Sequence, residues 1–268
     1  MPRLAILAGQ GDLPHMIAKA HADALFVHFE GVEVSVPDRD AICVSFEKFG
    51  ALFDSLNERS IREVVFAGGL ARPALNPANF DAKMMELATK FLAALQGGDD
   101  AILRAVIAAF EEHGFIVRGA HELVEGLTAM PGLLAGPAPS DLDLADIARA
   151  RDLLHALGPL DVGQGAVVAN GQFLGIETVQ GTDAMLRFVA QTPAGLRHGA
   201  RGVLVKAPKV GQDLRIDMPA IGPATVRSAK EAGLAGIVID AGQVLIIDRD
   251  ACLDAANAAG LFILARAI

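Results

Sequence analysis

The densest run of chemically competent side chains is VKAPKVGQDLRID, which places Lys206, Lys209, Gln212, Asp213, Arg215 and Asp217 within twelve positions. Three cations beside two carboxylates suit a phosphate and a metal ion together. The cations would neutralise phosphoryl oxygens, and one or two carboxylates would hold Mg²⁺, which keeps several waters and shares phosphate oxygens. On this run taken alone, a solvated and mutually paired charge cluster is an equal reading. Two further polar groups lie upstream. Asp161 to Gln164 (DVGQ) precede a β-rich stretch that ends at Glu177, and GTDAM at 181–185 sets Thr182 and Asp183 at the start of a helix, where the backbone favours anions.

The first half offers two glycine loops. AGQGDLP, with Gly9, Gln10, Gly11 and Asp12, follows an apolar run and opens a helix; GGLARP, with Gly69 and Arg72, follows another such run. Glycines let backbone N–H groups approach a ligand, and loops after strands sit on the edge where open α/β sheets collect ligands. Neither loop is GxGxxG, so a structural turn is as good a reading as a nucleotide loop.

These loops need a scaffold, and the chain supplies one. Apolar runs at Leu4 to Gly9, Ala24 to Phe29, Ala41 to Val44, Glu63 to Gly68 and Phe115 to Ala120 alternate with helical patterns at Phe46 to Asn57, Phe80 to Leu95 and Asp99 to His113. Continuous runs of this kind are strands covered on both faces. The expectation is an α/β fold: a Rossmann-like parallel-sheet domain over 1–130, a linker and connecting helix over 131–160, and a smaller α+β domain over 161–268. Pro14 suits the first turn of a helix capped by Asp12, and Asp141 is the expected cap of the connecting helix. In the last third, Asn170 and Gly171 mark a hairpin within AVVANGQFLGIE. GIVIDAGQVLIID reads as a second hairpin.

Composition narrows the function. The 268 residues are 52% hydrophobic and 21% charged, with a formal net charge of −9, which excludes disorder and argues against a nucleic-acid partner. With no Trp or Tyr, stacking platforms for bases are few. Cys43 and Cys252 form no motif and read as small buried residues in a reducing compartment. No apolar run approaches the ~20 residues of a membrane span, so a cytoplasmic protein is expected. HExxH, paired CxxC and GxSxG motifs are absent, leaving zinc-hydrolase and Ser-His-Asp readings without support.

Taken in order, AGQGDLP, GGLARP, DVGQ, ETVQGTDAM, GVLVKAPKVGQDLRIDMPAIGP and AGLAGIVIDAG resemble the UDP-2,3-diacylglucosamine pyrophosphatase family of lipid A biosynthesis, in the alphaproteobacterial type unrelated to calcineurin-like phosphoesterases. The resemblance implies Mg²⁺-dependent hydrolysis of the diphosphate, with water attacking the sugar-side phosphorus, to give UMP and 2,3-diacylglucosamine 1-phosphate (lipid X). It implies a first domain for the uridine nucleotide, a second for the acylated sugar phosphate, and chemistry in the cleft between them. Glu177, Asp183, Asp213 and position 224 would serve metal and water, the metal falling to Asp183, Asp213 and position 224. Gln164, Thr182, Lys206, Lys209 and Gln212 would hold phosphates and sugar. Gly9, Gln10, Gly11, Asp12, Gly69 and Arg72 would hold UMP.

One departure from the family pattern matters. After IGP the family carries an aspartate, whereas this chain has Ala224. Alanine can neither ligate Mg²⁺ nor orient water, so a catalytically crippled, ligand-holding chain is expected. A nucleotide-dependent oxidoreductase and a non-catalytic nucleotide or lipid carrier are the alternatives. Two acyl chains need an apolar groove, because each buried CH₂ contributes about 0.8 kcal/mol; Met185, Leu186 and Phe188 in AMLRFVA are the candidate wall. Transient contact with the inner-membrane surface and a homodimer complete the expectations.

Overall fold

A computed structural model describes residues 3–37 and 39–267. The chain divides into two compact units, one of Met1–Glu125 with Asp213–Asp217, the other of Gly126–Gln212 with Met218–Ile268.

The first unit runs β1 (Arg3–Ala8), α1 (Leu13–Ala20), β2 (Leu25–Phe29), β3 (Ala41–Val44), α2 (Phe49–Glu58), β4 (Ile61–Ala67), α3 (Ala82–Leu95), α4 (Asp99–Glu112), β5 (Ile116–Arg118) and the short α5 (Ala120–Leu123). Its strands are all parallel, in the order β3-β2-β1-β4-β5. The apolar run LAILA is buried because β1 lies at the centre with helices over both faces. Phe49, Phe53 and Phe110 meet edge to face beneath α2 and α4, so phenylalanine alone supplies the large aromatic mass of this core. Asp12 stands at the cap of α1 without a side-chain bond to the helix, and Pro14 fills the first turn as its missing N–H allows.

The second unit contains β6 (Gly132–Ala135), α6 (Asp141–Leu157), β7 (Gly165–Ala169), β8 (Gln172–Ile176), α7 (Gly181–Ala190), β9 (Val203–Lys206), β10 (Ala220–Ile221), α8 (Pro223–Glu231), β11 (Gly236–Asp240), β12 (Leu245–Ile246), α9 (Arg249–Ala259) and β13 (Phe262–Arg266). Its main sheet is ordered β6-β13-β11-β9-β7-β8, with β9, β11 and β13 parallel and the other pairings antiparallel. This unit is slightly the larger of the two, and its centre is parallel rather than hairpin-built.

Three local expectations change. The stretch from 131, read as linker, forms edge strand β6 on β13, and α6 packs on the second sheet. The cap of α6 is Ser140, which accepts from Asp143 N while Asp143 accepts from Ser140 N, a reciprocal box that satisfies two end donors; Asp141 lies inside the helix. GIVIDAGQVLIID is not a hairpin, since Leu245 and Ile246 pair with β10 instead of returning on β11.

Side chains alternate along the second sheet with the strand period of two. Ala166, Val168, Val203, Val205 and Val238 face α6, while Val167, Leu204, Ile237, Ile239 and Ile263 face α7, α8 and α9. The β7–β8 turn, with φ +47° at Asn170 and +72° at Gly171, is fixed from α6 by the buried carboxylate of Asp146, which accepts Asn170 N at 2.8 Å and Gly171 N at 2.7 Å. Asp146→Ala should lower unfolding free energy by about 3 kcal/mol, because two amides lose a charged acceptor; Asp146→Asn, keeping one oxygen, should cost less. Denaturant titration of both variants checks the ranking.

Candidate functional site

Strands β8, β9, β11 and β13 point the same way, so Ile176, Lys206, Asp240 and Arg266 end on one edge of the second sheet. The carboxyl edge is where open α/β sheets take their ligands. Lys206 continues the side of β9 that Leu204 occupies, the side covered by α7 and α8. Its stem is buried, and its ammonium is kept there by partners that offset desolvation. Lys206 Nζ donates to Thr182 Oγ1 at 2.7 Å and to the Ala220 carbonyl at 3.2 Å, and lies 3.8 Å from Glu177 Oε2. The Thr182 hydroxyl in turn donates to Glu177 Oε1 at 3.0 Å. Glu177 Oε2 is a buried acceptor without a hydrogen bond among the described residues.

Glycines make the room for this group. A Cβ at Gly163 would lie 1.9 Å from the Glu177 carbonyl oxygen, and one at Gly165 would lie 2.5 Å from Glu177 Oε2. Asp183 follows Thr182 in the first turn of α7 and is exposed, and Ala224 is exposed in the first turn of α8 behind Pro223. Gln164 stands beside β7, its carbonyl accepting Ala207 N at 3.0 Å.

The remaining residues of the charged run separate into two other groups. Lys209 pairs with Asp161, a residue the sequence flagged only as part of DVGQ, and its backbone N–H donates to Gln212 Oε1 at 3.0 Å. Asp213 belongs to the first unit. There Arg215 grips both carboxylate oxygens of Asp213 and reaches Glu111 Oε1 at 2.7 Å, and this guanidinium holds the Asp213 carboxyl below the usual carboxylate range. Among the described residues no three His, Cys, Asp or Glu side chains gather as a metal cage. Asp213 has its oxygens engaged by Arg215 and Ala224 has none to give; Asp183 is the exposed carboxylate beside the Glu177 group.

In the first unit the two glycine loops meet at the point where the chain leaves β1 for one side of the sheet and returns as β4 on the other, the customary ligand crevice of such sheets. They are zipped together: Gln10 N donates to Gly69 O at 2.8 Å, Gly69 N to Gln10 O at 2.9 Å, and Gly9 N to Ala67 O at 2.7 Å. These amides therefore hold loop to loop and are not the ones offered to a phosphate. Gly68, at φ +88°, would set a Cβ 2.4 Å from Gln10 O, so the crossing requires glycine. Gly11 is the open part of the loop, beside Asp12. Arg72 is exposed and pairs with Asp99, its Nε 2.8 Å from Oδ1.

Of the expected acyl wall, Met185 and Leu186 are buried in the core and cannot line a groove. Phe188 is 67% exposed and, with Phe173, Leu174, Pro193 and Leu196, lines a surface groove of about 460 Å³. The cysteines also split: Cys252 is buried, which pushes its thiol up to about 11, with Asp248 adding to the shift, whereas Cys43 is exposed. Ellman titration of the native protein should report one thiol, and two after unfolding. No helix among the described residues is long and apolar enough to cross a membrane.

Fold and site together define an α/β protein of two units, with a carboxylate, a hydroxyl and an ammonium gathered at a sheet's carboxyl edge and paired glycine loops at the other sheet's crossover. The chain belongs to the LpxI family: residues 3–127 match the LpxI N-terminal domain and residues 130–264 the LpxI C-terminal domain. It is 40% identical to the UDP-2,3-diacylglucosamine pyrophosphatase LpxI of Caulobacter vibrioides, over 98% of this chain and 97% of that protein. Among solved structures, a CobK precorrin-6A reductase aligns with all of this chain and 88% of its own at 16% identity, with a TM-score of 0.33.

Proposed function

We propose that this chain takes UDP-2,3-diacylglucosamine as its ligand, and that Ala224 leaves it able to hold that ligand while hydrolysing it poorly. The end-to-end likeness to the Caulobacter vibrioides enzyme carries the reading. In the reaction, a water oxygen bonds to the sugar-side phosphorus, the bond from that phosphorus to the bridging oxygen breaks, UMP leaves, and 2,3-diacylglucosamine 1-phosphate remains. Both protons of the attacking water pass to solvent, because a doubly charged diphosphate becomes two doubly charged phosphate monoesters.

The Glu177–Thr182 group would bind the sugar-phosphate half, and the loops around Gln10 and Arg72 the UMP half. Mg²⁺, when bound, would neutralise diphosphate oxygens. Asp183 would hold it, with the phosphate oxygens themselves, because Mg²⁺ needs only one or two carboxylates. Phe188 stands six residues along α7 from Thr182, about 9 Å of helix, so an acyl chain from a sugar held at Thr182 would reach the groove at Phe173 and Phe188. Drawing such a lipid from a bilayer would bring the chain into transient contact with the membrane surface.

Calorimetric titration with the diacylated UDP-sugar is expected to show saturable binding, weaker by tenfold or more for UMP alone. Failure to bind the UDP-lipid at all would end this reading. Saturable binding of NADPH in its place would favour a nucleotide-dependent oxidoreductase.

A further inference from the structure

Lys206 sits among residues whose chemistry invites a phosphate, yet two of its donors go to groups of the protein itself. Two of its three N–H groups go to Thr182 Oγ1 and the Ala220 carbonyl, 2.7 and 3.2 Å away. These two acceptors belong to different elements. Thr182 lies in the first turn of α7, and Ala220 opens the short strand that leads through Gly222 into α8. The Thr182 hydroxyl can give its proton in only one direction, and because Lys206 donates to its oxygen, that proton goes to Glu177 Oε1. One buried ammonium thus sets three things: the start of α7, the lead-in to α8, and the rotamer of the hydroxyl between them. It also lies 3.8 Å from the otherwise unpartnered Glu177 Oε2, near enough to offset the cost of burying that carboxylate.

We infer that Lys206 is a positioning residue that fixes the first turns of α7 and α8 relative to each other, and is not the group that grips the ligand's phosphate. Two of the three donors are spent on these bonds, so turning Nζ outward to grip a phosphate would break both and leave Thr182 Oγ1 and a half-buried carbonyl without their donor. Position 224 lies in the α8 turn that this lysine anchors, so the placement of whatever stands there passes through Lys206.

The first measurement needs no ligand and is independent of the proposed substrate. In Lys206→Met, amide hydrogen exchange should rise at least tenfold at Gly181, Gly222 and Val226, whose N–H groups are bonded at the two helix starts, while β7 and β11 stay protected. Unchanged exchange in those turns overturns the inference. Lys206→Gln, which keeps donors and loses charge, serves if the Met variant does not fold, and should show a smaller rise.

The second measurement separates a site role from a merely structural one, and it rests on the proposed substrate. In an Ala224→Asp background, Lys206→Met should cut kcat for the UDP-lipid more than tenfold and change affinity for 2,3-diacylglucosamine 1-phosphate less than threefold. A phosphate-gripping lysine would instead weaken that affinity thirtyfold or more with exchange unmoved. Thr182→Val combined with Lys206→Met should cost much less than the product of the single losses, by at least fivefold, because both act through one hydroxyl. Losses that multiply within twofold would overturn it. A background with no turnover at all counts against the proposed function, and the exchange experiment still decides the role of Lys206.

Discussion

Ala224→Asp is expected to raise hydrolysis of UDP-2,3-diacylglucosamine by about 10²–10⁴-fold, the range a correctly placed acid, base or water-orienting group supplies. The local structure accepts the change. Position 224 is exposed in the first turn of α8, so an aspartate meets no packed neighbour. The helix N-terminus favours a negative charge there by about 0.3–1 kcal/mol. The gain should require the charge: Ala224→Asn, of nearly the same shape, should stay close to the parent. It should also vanish with EDTA and return with Mg²⁺, because a carboxylate at 224 together with Asp183 would make the pair of oxygen ligands that the present chain lacks. Binding should move the other way. A second carboxylate beside a diphosphate adds repulsion, so in the absence of Mg²⁺ the parent should bind the UDP-lipid more tightly than Ala224→Asp. UMP release followed by chromatography, with calorimetry on the same samples, tests both halves. Equal rates in parent and variant would remove position 224 from the chemistry.

The first sheet was legible because nothing distant competes with its signals. LAILA, LFVHF and IREVVFA are strands wherever the chain puts them, and burial on both faces follows from their unbroken apolar character. The second sheet was harder for a stated reason. ANGQ and DAGQ look alike locally, but only the first closes a hairpin. At the second, Ala241 N donates to Arg266 O, Gly242 N to Ala129 O, Leu245 N to Pro219 O and Ile246 N to Leu127 O. Those acceptors lie outside any window that reads turns, and they take up the donors that a hairpin needs. The charged run failed in the same manner. Its composition announced a polar site, but Lys209 found Asp161, 48 positions away, and Arg215 holds both its neighbour Asp213 and Glu111, 104 positions away, while Lys206 lies beside Glu177. Residue types at short spacing identify which groups are available; which of them meet depends on strand order and on which side of β9 a side chain emerges. Glu177, Thr182 and Lys206 were each singled out from the sequence, whereas the Ala220 carbonyl that completes the group has no side-chain signature to find.

Gly163→Ala should be among the most damaging small changes in the second unit, lowering unfolding free energy by about 2–5 kcal/mol from left-handed strain and forced overpacking together. The position has φ +57°, and the added methyl would overlap the Glu177 carbonyl oxygen at 1.9 Å and approach Glu177 Cβ at 3.2 Å. Backbone on the opposing side cannot swing away as the tip of a flexible side chain would. Relief requires moving the end of β8, and that segment carries Glu177 into its contact with Thr182. Binding of 2,3-diacylglucosamine 1-phosphate should therefore fall by more than tenfold even at temperatures where the variant remains folded. Gly171→Ala isolates the conformational part, since its φ is +72° with nothing within 4 Å of the new methyl; it should cost about 1–2 kcal/mol and leave binding intact. Thermal unfolding and calorimetry on the two variants distinguish a collision at the site from strain in a turn. If Gly163→Ala and Gly171→Ala prove equally costly and equally able to bind, the close approach of the 163 backbone to Glu177 does not position that carboxylate.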